Sequence, residues 1–326
     1  MNKYLVFLEQ RDGIVKKASI DAWNRVQELA RLQPYAVVSG IIAGMADIRQ
    51  LDGSITGDGV IFFAKNESLN RYNQEYYTRL VSDIFQHEAC DALYFADTAM
   101  TRDLAPRLSV RLQASLLAGI PVVDGEAAGS CRRPVYSGSL LATFVPRREN
   151  RIYILSSRIT ARPASSDGHI DFMDLAPQWL TAGDMFPVVR RLVMQKGSPD
   201  VAEADIIIAG GRGMGSAEGF VLLEQLASLL GGAVGSSRTV VDEGWRPHAE
   251  QVGQTGKTVT SSLYVACGIS GAIQHLAGIG SAGIIVAINS DPHAPIFDVA
   301  DYGIVGDVHV VLPKLFDSLK EFLKKK

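Results

Sequence analysis

Three short stretches of this sequence place residues where they could do chemistry, and all three suit holding a ligand better than breaking a bond. Gly210-Gly-Arg-Gly-Met-Gly-Ser216 lies between an apolar run and a helical pattern. Glycines at a strand-to-helix turn let backbone N–H groups approach a phosphate, and the helix N-terminus adds partial positive charge. Arg212 supplies a forked donor for a diphosphate. Ser216 stands where the last glycine of G-x-G-x-x-G would fall, so a plain strand-to-helix turn accounts for the spacing as well. Gly253-Gln-Thr-Gly-Lys-Thr258 resembles the end of a P-loop, but Gln251 occupies the first glycine position and a strand pattern, not a helix, follows it. Nucleoside triphosphate hydrolysis is therefore rejected. What remains is a polar loop rich in donors and hydroxyls, suited to a heteroaromatic ring with several acceptors.

The third stretch, Leu263-Tyr-Val-Ala-Cys-Gly-Ile-Ser-Gly-Ala-Ile-Gln-His275, is the most informative. A strand ends at Gly268. The turn Gly268-Ile-Ser-Gly271 is small enough for a phosphate to touch backbone, and Ser270 offers a hydroxyl. A helix then begins and carries Gln274 and His275 in its first turns. A histidine so placed is commonly a core residue, and it gains interest here from its phosphate-suited neighbours. The other histidines, His87, His169, His248, His293 and His309, show no metal-ligand spacing. No G-x-S-x-G elbow occurs. Cys90, Cys131 and Cys267 are far apart and form no C-x-x-C pair, which argues against a metal knuckle and suits a reducing compartment. Arg132 and Arg133 beside Cys131 could lower its pKa, although an ordinary thiol is the better reading.

The elements that must position these stretches alternate short apolar runs with helical patterns, the signature of α/β layering and a mostly parallel sheet. In the first half, Tyr4–Leu8, Ala36–Ile42, Gly59–Phe63, Ala92–Phe95 and Pro121–Asp124 read as strands. Ile20–Leu32, Tyr76–Phe85 and Asp103–Ala114 read as helices. Pro134–Thr143, Ile152–Ser156 and Arg158–Ala161 follow as strands joined by polar turns, with a loop from Arg162 to Gly168. The turn-rich Lys196–Asp200 is the expected domain boundary, separating residues 1–196 from 197–326. Beyond it the rhythm restarts. Asp205–Ala209, Leu263–Gly268, Ile284–Ile288 and Val308–Leu312 read as strands, and Ala217–Leu230 and Ala272–Ala277 as helices. Leu315–Leu323 is amphipathic and expected to dock on the chain's own sheet or, less favoured, on a partner.

With 326 residues, 47% hydrophobic and 21% charged, the chain has room for two cores. A formal net charge of -3 gives no electrostatic reason to expect nucleic acid or anionic membrane as a partner. Apolar runs such as Ile284–Ile288 are far too short to span a bilayer. The N-terminus enters a strand pattern at once, which leads to the expectation of a cytoplasmic protein without membrane insertion.

Taken together, Gly210–Met214, Gly235-Ser-Ser-Arg238, Gln251–Gly256, Tyr264–Gly278 and Ile285–Asn289 closely resemble the FAD domain of electron transfer flavoprotein α subunits. Asp291–Phe297 and Ala300–Asp307 extend the likeness, which is strong over residues 197–326. It is weaker but present in Thr101–Arg107, Arg133–Tyr136 and Thr160–Pro163. Ser290 and His293 depart from the family pattern, away from the expected flavin contacts.

The resemblance implies two domains, each a Rossmann-like, mostly parallel sheet with flanking helices, the first contacting a β subunit and the second binding FAD. It also implies residue roles. Arg212 would contact the FAD diphosphate with Ser270, Gly271 and Ala272, and Ile273 would lie alongside. Ser237 and Arg238 would lie by the flavin, the guanidinium over the isoalloxazine ring. Val252, Gly253, Gln254 and Thr255 would line the ring, with the Thr255 hydroxyl facing N5. Gln274 and His275 would approach the ribityl chain and the pyrimidine end. Asn289 and Asp307 would hold the adenosine half, with Val308 next to them. A flavin reduced by one electron can stay anionic near N1 and O2, where a guanidinium and an imidazole are suitable neighbours. The implied role is an electron carrier, not an enzyme. It would take electrons from flavin dehydrogenases as an αβ heterodimer and pass them on, often toward a quinone reductase. Two rivals remain: an NAD(P)- or FAD-dependent enzyme on a similar fold, and a cofactor-free structural subunit.

Overall fold

The computed structural model describes residues 2–33, 35–120, 130–135, 140–156, 168–181 and 199–324. The chain falls into two compact units, Met1–Met194 and Gln195–Lys326.

The first unit begins with β1 (Lys3–Phe7), a short hairpin of β2 (Gln10–Arg11) and β3 (Ile14–Val15), and α1 (Lys17–Arg31). It continues with β4 (Val37–Ala43), β5 (Gly59–Ala64), α2 (Gln74–His87), β6 (Ala92–Ala96), α3 (Ala99–Arg111) and β7 (Ser115–Ile120). A second hairpin, β8 (Cys131–Val135) and β9 (Leu140–Phe144), precedes β10 (Arg151–Leu155) and β11 (Ile170–Leu175). Seven strands form one sheet in the order β11-β5-β4-β1-β6-β10-β7, every neighbouring pair parallel. A parallel sheet covered on both faces needs apolar residues at consecutive positions. In β1, Leu5 and Phe7 pack on one face with Leu80 and Leu104, while Tyr4 and Val6 pack on the other with Trp23 and Val26.

The C-terminal edge of this sheet is polar and internally neutralised. The chain proceeds from β1 to β4 on one side and places β6 on the other, so β1 and β6 flank the topological switch. Glu9, just beyond β1, is buried, accepts the Thr98 hydroxyl proton and pairs with Lys16 at 2.8 Å. Asp97, at the end of β6, is buried and takes two hydrogen bonds from Arg102 at 2.6 and 3.0 Å.

The second unit contains β12 (Ile206–Gly210), α4 (Phe220–Leu230), β13 (Ala233–Ser236), α5 (Arg238–Asp242), β14 (Leu263–Cys267), α6 (Ile273–Ile279), β15 (Ile284–Asn289), β16 (Tyr302–Val305) and α7 (Val308–Lys324). Its five strands run parallel in the order β13-β12-β14-β15-β16. Ile207, Tyr264 and Ile285 fill one side of this sheet, and Ile208, Val265 and Ile288 fill the other beneath Phe220 and Leu312. Both units are therefore Rossmann-like parallel sheets with flanking helices.

Several elements differ from the sequence reading. Val308–Leu312, expected as a strand, forms the opening turns of α7. Its β-branched run is overridden by Asp307, whose carboxylate accepts from the His309 N–H and whose carbonyl accepts from the Val310 and Val311 N–H groups. The strand of this region is β16, with all four residues exposed at the sheet edge. The helix expected over Asp103–Ala114 starts earlier, because Thr98 and Thr101 close a reciprocal capping box. It ends before Ala114, and Ser115–Ile120 is a strand. Of the single strand expected over 134–143, residues 134–135 belong to β8 and 140–143 to β9, which pair antiparallel, and 136–139 lie outside the described residues. The polar stretch at 165–174, which offered no motif, includes most of edge strand β11. The expectations for 121–124, 158–167 and 196–198 lie outside the described residues, as do Tyr136 and the Thr160–Pro163 likeness.

Candidate functional site

The second sheet switches direction between β12 and β14, since β13 lies on one side of β12 and β14 on the other. Ligands of open α/β sheets bind outside the carboxyl ends of the strands at such a point. Here the loops leaving β12 and β14 cross each other. Gly211 N donates to Cys267 O at 2.9 Å, and Gly213 N donates to Gly268 O at 3.0 Å. A Cβ on Gly211 would stand 2.3 Å from Gly268 O, and one on Gly213 would stand 2.7 Å from Gly268 Cα. The glycines that suggested phosphate approach thus serve first to let two loops pack at backbone distance.

Beyond the crossing opens a cavity of ≈ 600 Å³, within the range of cofactor sites. From the residues expected at the site, the structure brings Arg212, Ser237, Arg238, Val252, Gly253, Gln254, Thr255, Ser270, Gly271, Ala272, Gln274, His275 and Asn289 to its wall. Ile273, Asp307 and Val308 are not part of that wall. Ile273 is exposed on α6, and Val308 is buried in the core beside Leu312. Asp307 caps α7 as described. Asp307→Ala should therefore cost about 1 kcal/mol of stability, read from urea denaturation, through loss of the cap. A concurrent drop in FAD affinity would mark an adenosine contact as well.

Each wall segment has a local cause. The Gly253–Thr258 turn is pinned to β13 by Val252 N to Ser236 O at 2.9 Å, and to α6 by Gln254 N to Gln274 O at 2.7 Å. Gly278 allows the close approach, since a Cβ there would meet Gly253 N and Cα at 2.5 Å. Lys257, the lysine of the apparent P-loop, pairs instead with Asp200 at 2.7 Å, which removes the phosphate-binding reading a second time. The Thr255 oxygen accepts from Gln251 Nε2 at 3.1 Å, leaving its O–H to donate elsewhere. Asn289 is tied on both sides of its amide, donating to Ile269 O and accepting from Asp291 N, each at 2.9 Å. It thereby joins the end of β15 to the loop after β14.

The electrostatics are mixed. Arg212 is exposed and forms no ion pair among the described residues. Arg238, the first residue of α5, reaches Asp242 at 3.4 Å across one helical turn. Asp242 also lines the cavity, and sequence reasoning missed it. The signal available was its i,i+4 spacing from Arg238, which helps only once the short α5 is known. Gln251 and Asp291 were likewise missed. His275 is buried, and its Nε2 lies 2.9 Å from the Tyr264 hydroxyl. Burial lowers its pKa to about 4, so the ring is neutral at pH 7. The Val252 backbone beside the ring opposes that shift.

A parallel sheet whose switch point opens into a glycine-walled cavity with arginines at its rim defines a dinucleotide-type cofactor-binding unit. The chain matches the electron transfer flavoprotein domain over residues 4–168 and the electron transfer flavoprotein FAD-binding domain over residues 200–280. It is 39% identical to Protein FixB of Clostridium saccharobutylicum, covering 98% of this chain and 96% of that one. It is 36% identical to the electron transfer flavoprotein subunit alpha of Thermoanaerobacterium thermosaccharolyticum, over 98% and 99% of the two chains. The same name and identity, 36%, apply to a Bacillus subtilis protein, with 98% of each chain covered. The chain belongs to the electron transfer flavoprotein family, as one of its α subunits. The cavity residues fit FAD on their own terms: an exposed Arg212 that forms no ion pair among the described residues, a Thr255 oxygen that accepts from Gln251 and leaves its O–H to donate, and glycine turns lining the wall.

Proposed function

We propose that the second unit holds one FAD in this cavity and that the chain works as an electron carrier with no substrate turnover of its own, paired with a β subunit. Bound FAD supplies reversible one- and two-electron chemistry, and the residues of the chain hold it and set the charge around it. Arg212, Ser270, Gly271 and Ala272 receive the diphosphate. Ser237, Arg238, Val252, Gly253, Gln254 and Thr255 surround the ring, Gln274 and His275 meet the ribityl and pyrimidine parts, and Asn289 faces the adenosine half. Residues 1–196 supply the β-subunit contact and 197–326 the FAD domain. Flavin dehydrogenases deliver the electrons, and a quinone reductase is one acceptor of fitting chemistry.

The observation that carries this reading is the ≈ 600 Å³ cavity at the β12/β14 switch, lined by Arg212, Arg238, Ser270 and the glycine turns. The cytoplasm is the proposed compartment. Buried thiols at Cys90, Cys131 and Cys267, joined by no disulfide, suit its reducing conditions. Among the described residues no helix is long and apolar enough to cross a membrane.

Co-expression with the matching β subunit should give a 1:1 complex by sizing and light scattering. Denaturing that complex should release one FAD per heterodimer, identified by chromatography. Release of NAD or FMN, or no cofactor after attempted reconstitution, would sink the assignment.

A further inference from the structure

Gln251 borders the cavity, yet it is buried. Its backbone is held on both sides: N donates to His248 O at 3.0 Å, and O accepts from Lys257 N at 2.7 Å. An isolated parallel bridge to Ser236 ties it to the end of β13. The chain then enters the turn Gly253–Lys257 and folds straight back, Gly256 N donating to Gly253 O at 3.1 Å. The return is so tight that a Cβ on Gly256 would stand 2.4 Å from Gln251 O. Thr255, in this turn, is exposed and borders the cavity. Its oxygen has one hydrogen-bond partner among the described residues, Gln251 Nε2 at 3.1 Å. A threonine hydroxyl has one proton and two lone pairs, and the proton rotates to suit its neighbours. An amide N–H can only donate, so it occupies one lone pair and turns the Thr255 proton away from Gln251. The residue that fixes the hydroxyl is buried and anchored, while the one that carries it is exposed.

We propose that Gln251 is a positioning residue that holds the Thr255 hydroxyl as a proton donor toward the flavin ring, so that the ring meets a fixed O–H dipole rather than a freely turning one. The proposal rests on the reading of the cavity as the FAD site. The backbone of the turn is already pinned by Val252 N to Ser236 O and by Gln254 N to Gln274 O. Rotation of the Thr255 hydroxyl is the freedom that remains, and Gln251 removes it. A ring that gains an electron becomes a better acceptor, and a donor already oriented toward it stabilises that state without reorganisation. Arg238 and Thr255 then favour the same electron gain by different means. One supplies a full charge at the rim, and the other a dipole whose direction is set four residues earlier in the chain.

FAD content of the αβ complex is measured first: a complex that holds no FAD defeats the cofactor assignment itself, and the role of Gln251 with it. Every later outcome bears on Gln251 alone. In the FAD-loaded complex carrying ¹⁵N-glutamine in the α chain, the Gln251 side-chain amide is assigned by its loss in Gln251→Met. One of its protons should be shifted downfield, and Thr255→Val should abolish that shift. An amide that does not respond to Thr255→Val overturns the proposal. Gln251→Met removes the donor and keeps the length of the side chain. It should lower the equilibrium constant for the first electron about three-fold, or roughly 30 mV by redox titration. In a Thr255→Val background, Gln251→Met should change the potential no further. Equal shifts in both backgrounds would mean that Gln251 acts on the flavin by itself, and they overturn the proposal. An unchanged potential in Gln251→Met with full FAD content does the same. Should Gln251→Met fail to fold, the response of the amide signals to Thr255→Val decides alone.

Discussion

Gly271→Ala should abolish retention of FAD and cost the second unit about 3 kcal/mol or more. Gly271 sits at φ +87, where an L side chain is strained by about 1–2 kcal/mol. A Cβ there would also lie 2.3 Å from Ile296 N and 2.6 Å from Ile296 Cα. Both neighbours are backbone, and Ile296 N is held by Ser270 O at 3.0 Å, so no rotamer change relieves the contact. Overpacking of this kind adds about 1–3 kcal/mol. The forced shift falls on Ser270, Gly271 and Ala272, the turn that the cofactor must meet. Gly231 supplies the control. It has a similar positive φ, +67, at the end of α4, with nothing within 4 Å of its Cβ. Gly231→Ala should therefore lose about 1 kcal/mol and keep its FAD. Urea denaturation and cofactor content of the two variant complexes check the pair. Normal FAD content in Gly271→Ala would show that the turn does not contact the cofactor.

Arg238→Ala should lower the first one-electron reduction potential of bound FAD by about 60 mV or more, since 59 mV is a tenfold change in a one-electron equilibrium. A flavin that gains an electron gains negative charge, and a guanidinium, charged at any relevant pH, favours that change. The magnitude is moderated by two observations: Arg238 is 65% exposed, and Asp242 stands 3.4 Å away. Asp242→Asn should accordingly raise the potential, by less than Arg238→Ala lowers it. Arg238→Lys keeps the charge and loses the planar fork, so it should restore the potential in part. If Arg238 serves only to begin α5, the variant would lose stability and FAD while the potential of the remaining bound FAD stayed constant. Redox titration normalised to FAD content distinguishes the two.

Central parallel strands are legible in a sequence because burial on both faces demands consecutive apolar residues, as in Tyr4–Phe7 and Ile285–Ile288. Edge strands escape that demand. In β11, Ile170–Leu175, charged and apolar residues mix, and in β16 every residue is exposed, so neither announces itself. Local apolar content misleads where a single cap decides the outcome, as Asp307 does for Val308–Leu312. At the site, the strand–turn–helix of 263–275 is legible because one continuous segment carries the wall, the turn and the histidine. Asp242 is not, because its relation to Arg238 exists only through a five-residue helix. The reason for the 211–213 glycines is likewise a contact with a loop more than fifty residues away.

The chain thus contains two parallel sheets, each with a switch point, and the strand ends there present different charge to an anion. Between β1 and β6, Glu9 and Asp97 stand at the strand ends, with Lys16 and Arg102 already engaged by them. An arriving diphosphate would meet carboxylates there and would have to break existing ion pairs to recruit a cation. Between β12 and β14 the corresponding turns present glycine backbone and an uncommitted Arg212. The two switch points therefore differ in the charges at their strand ends, engaged carboxylates in the first and glycine turns in the second.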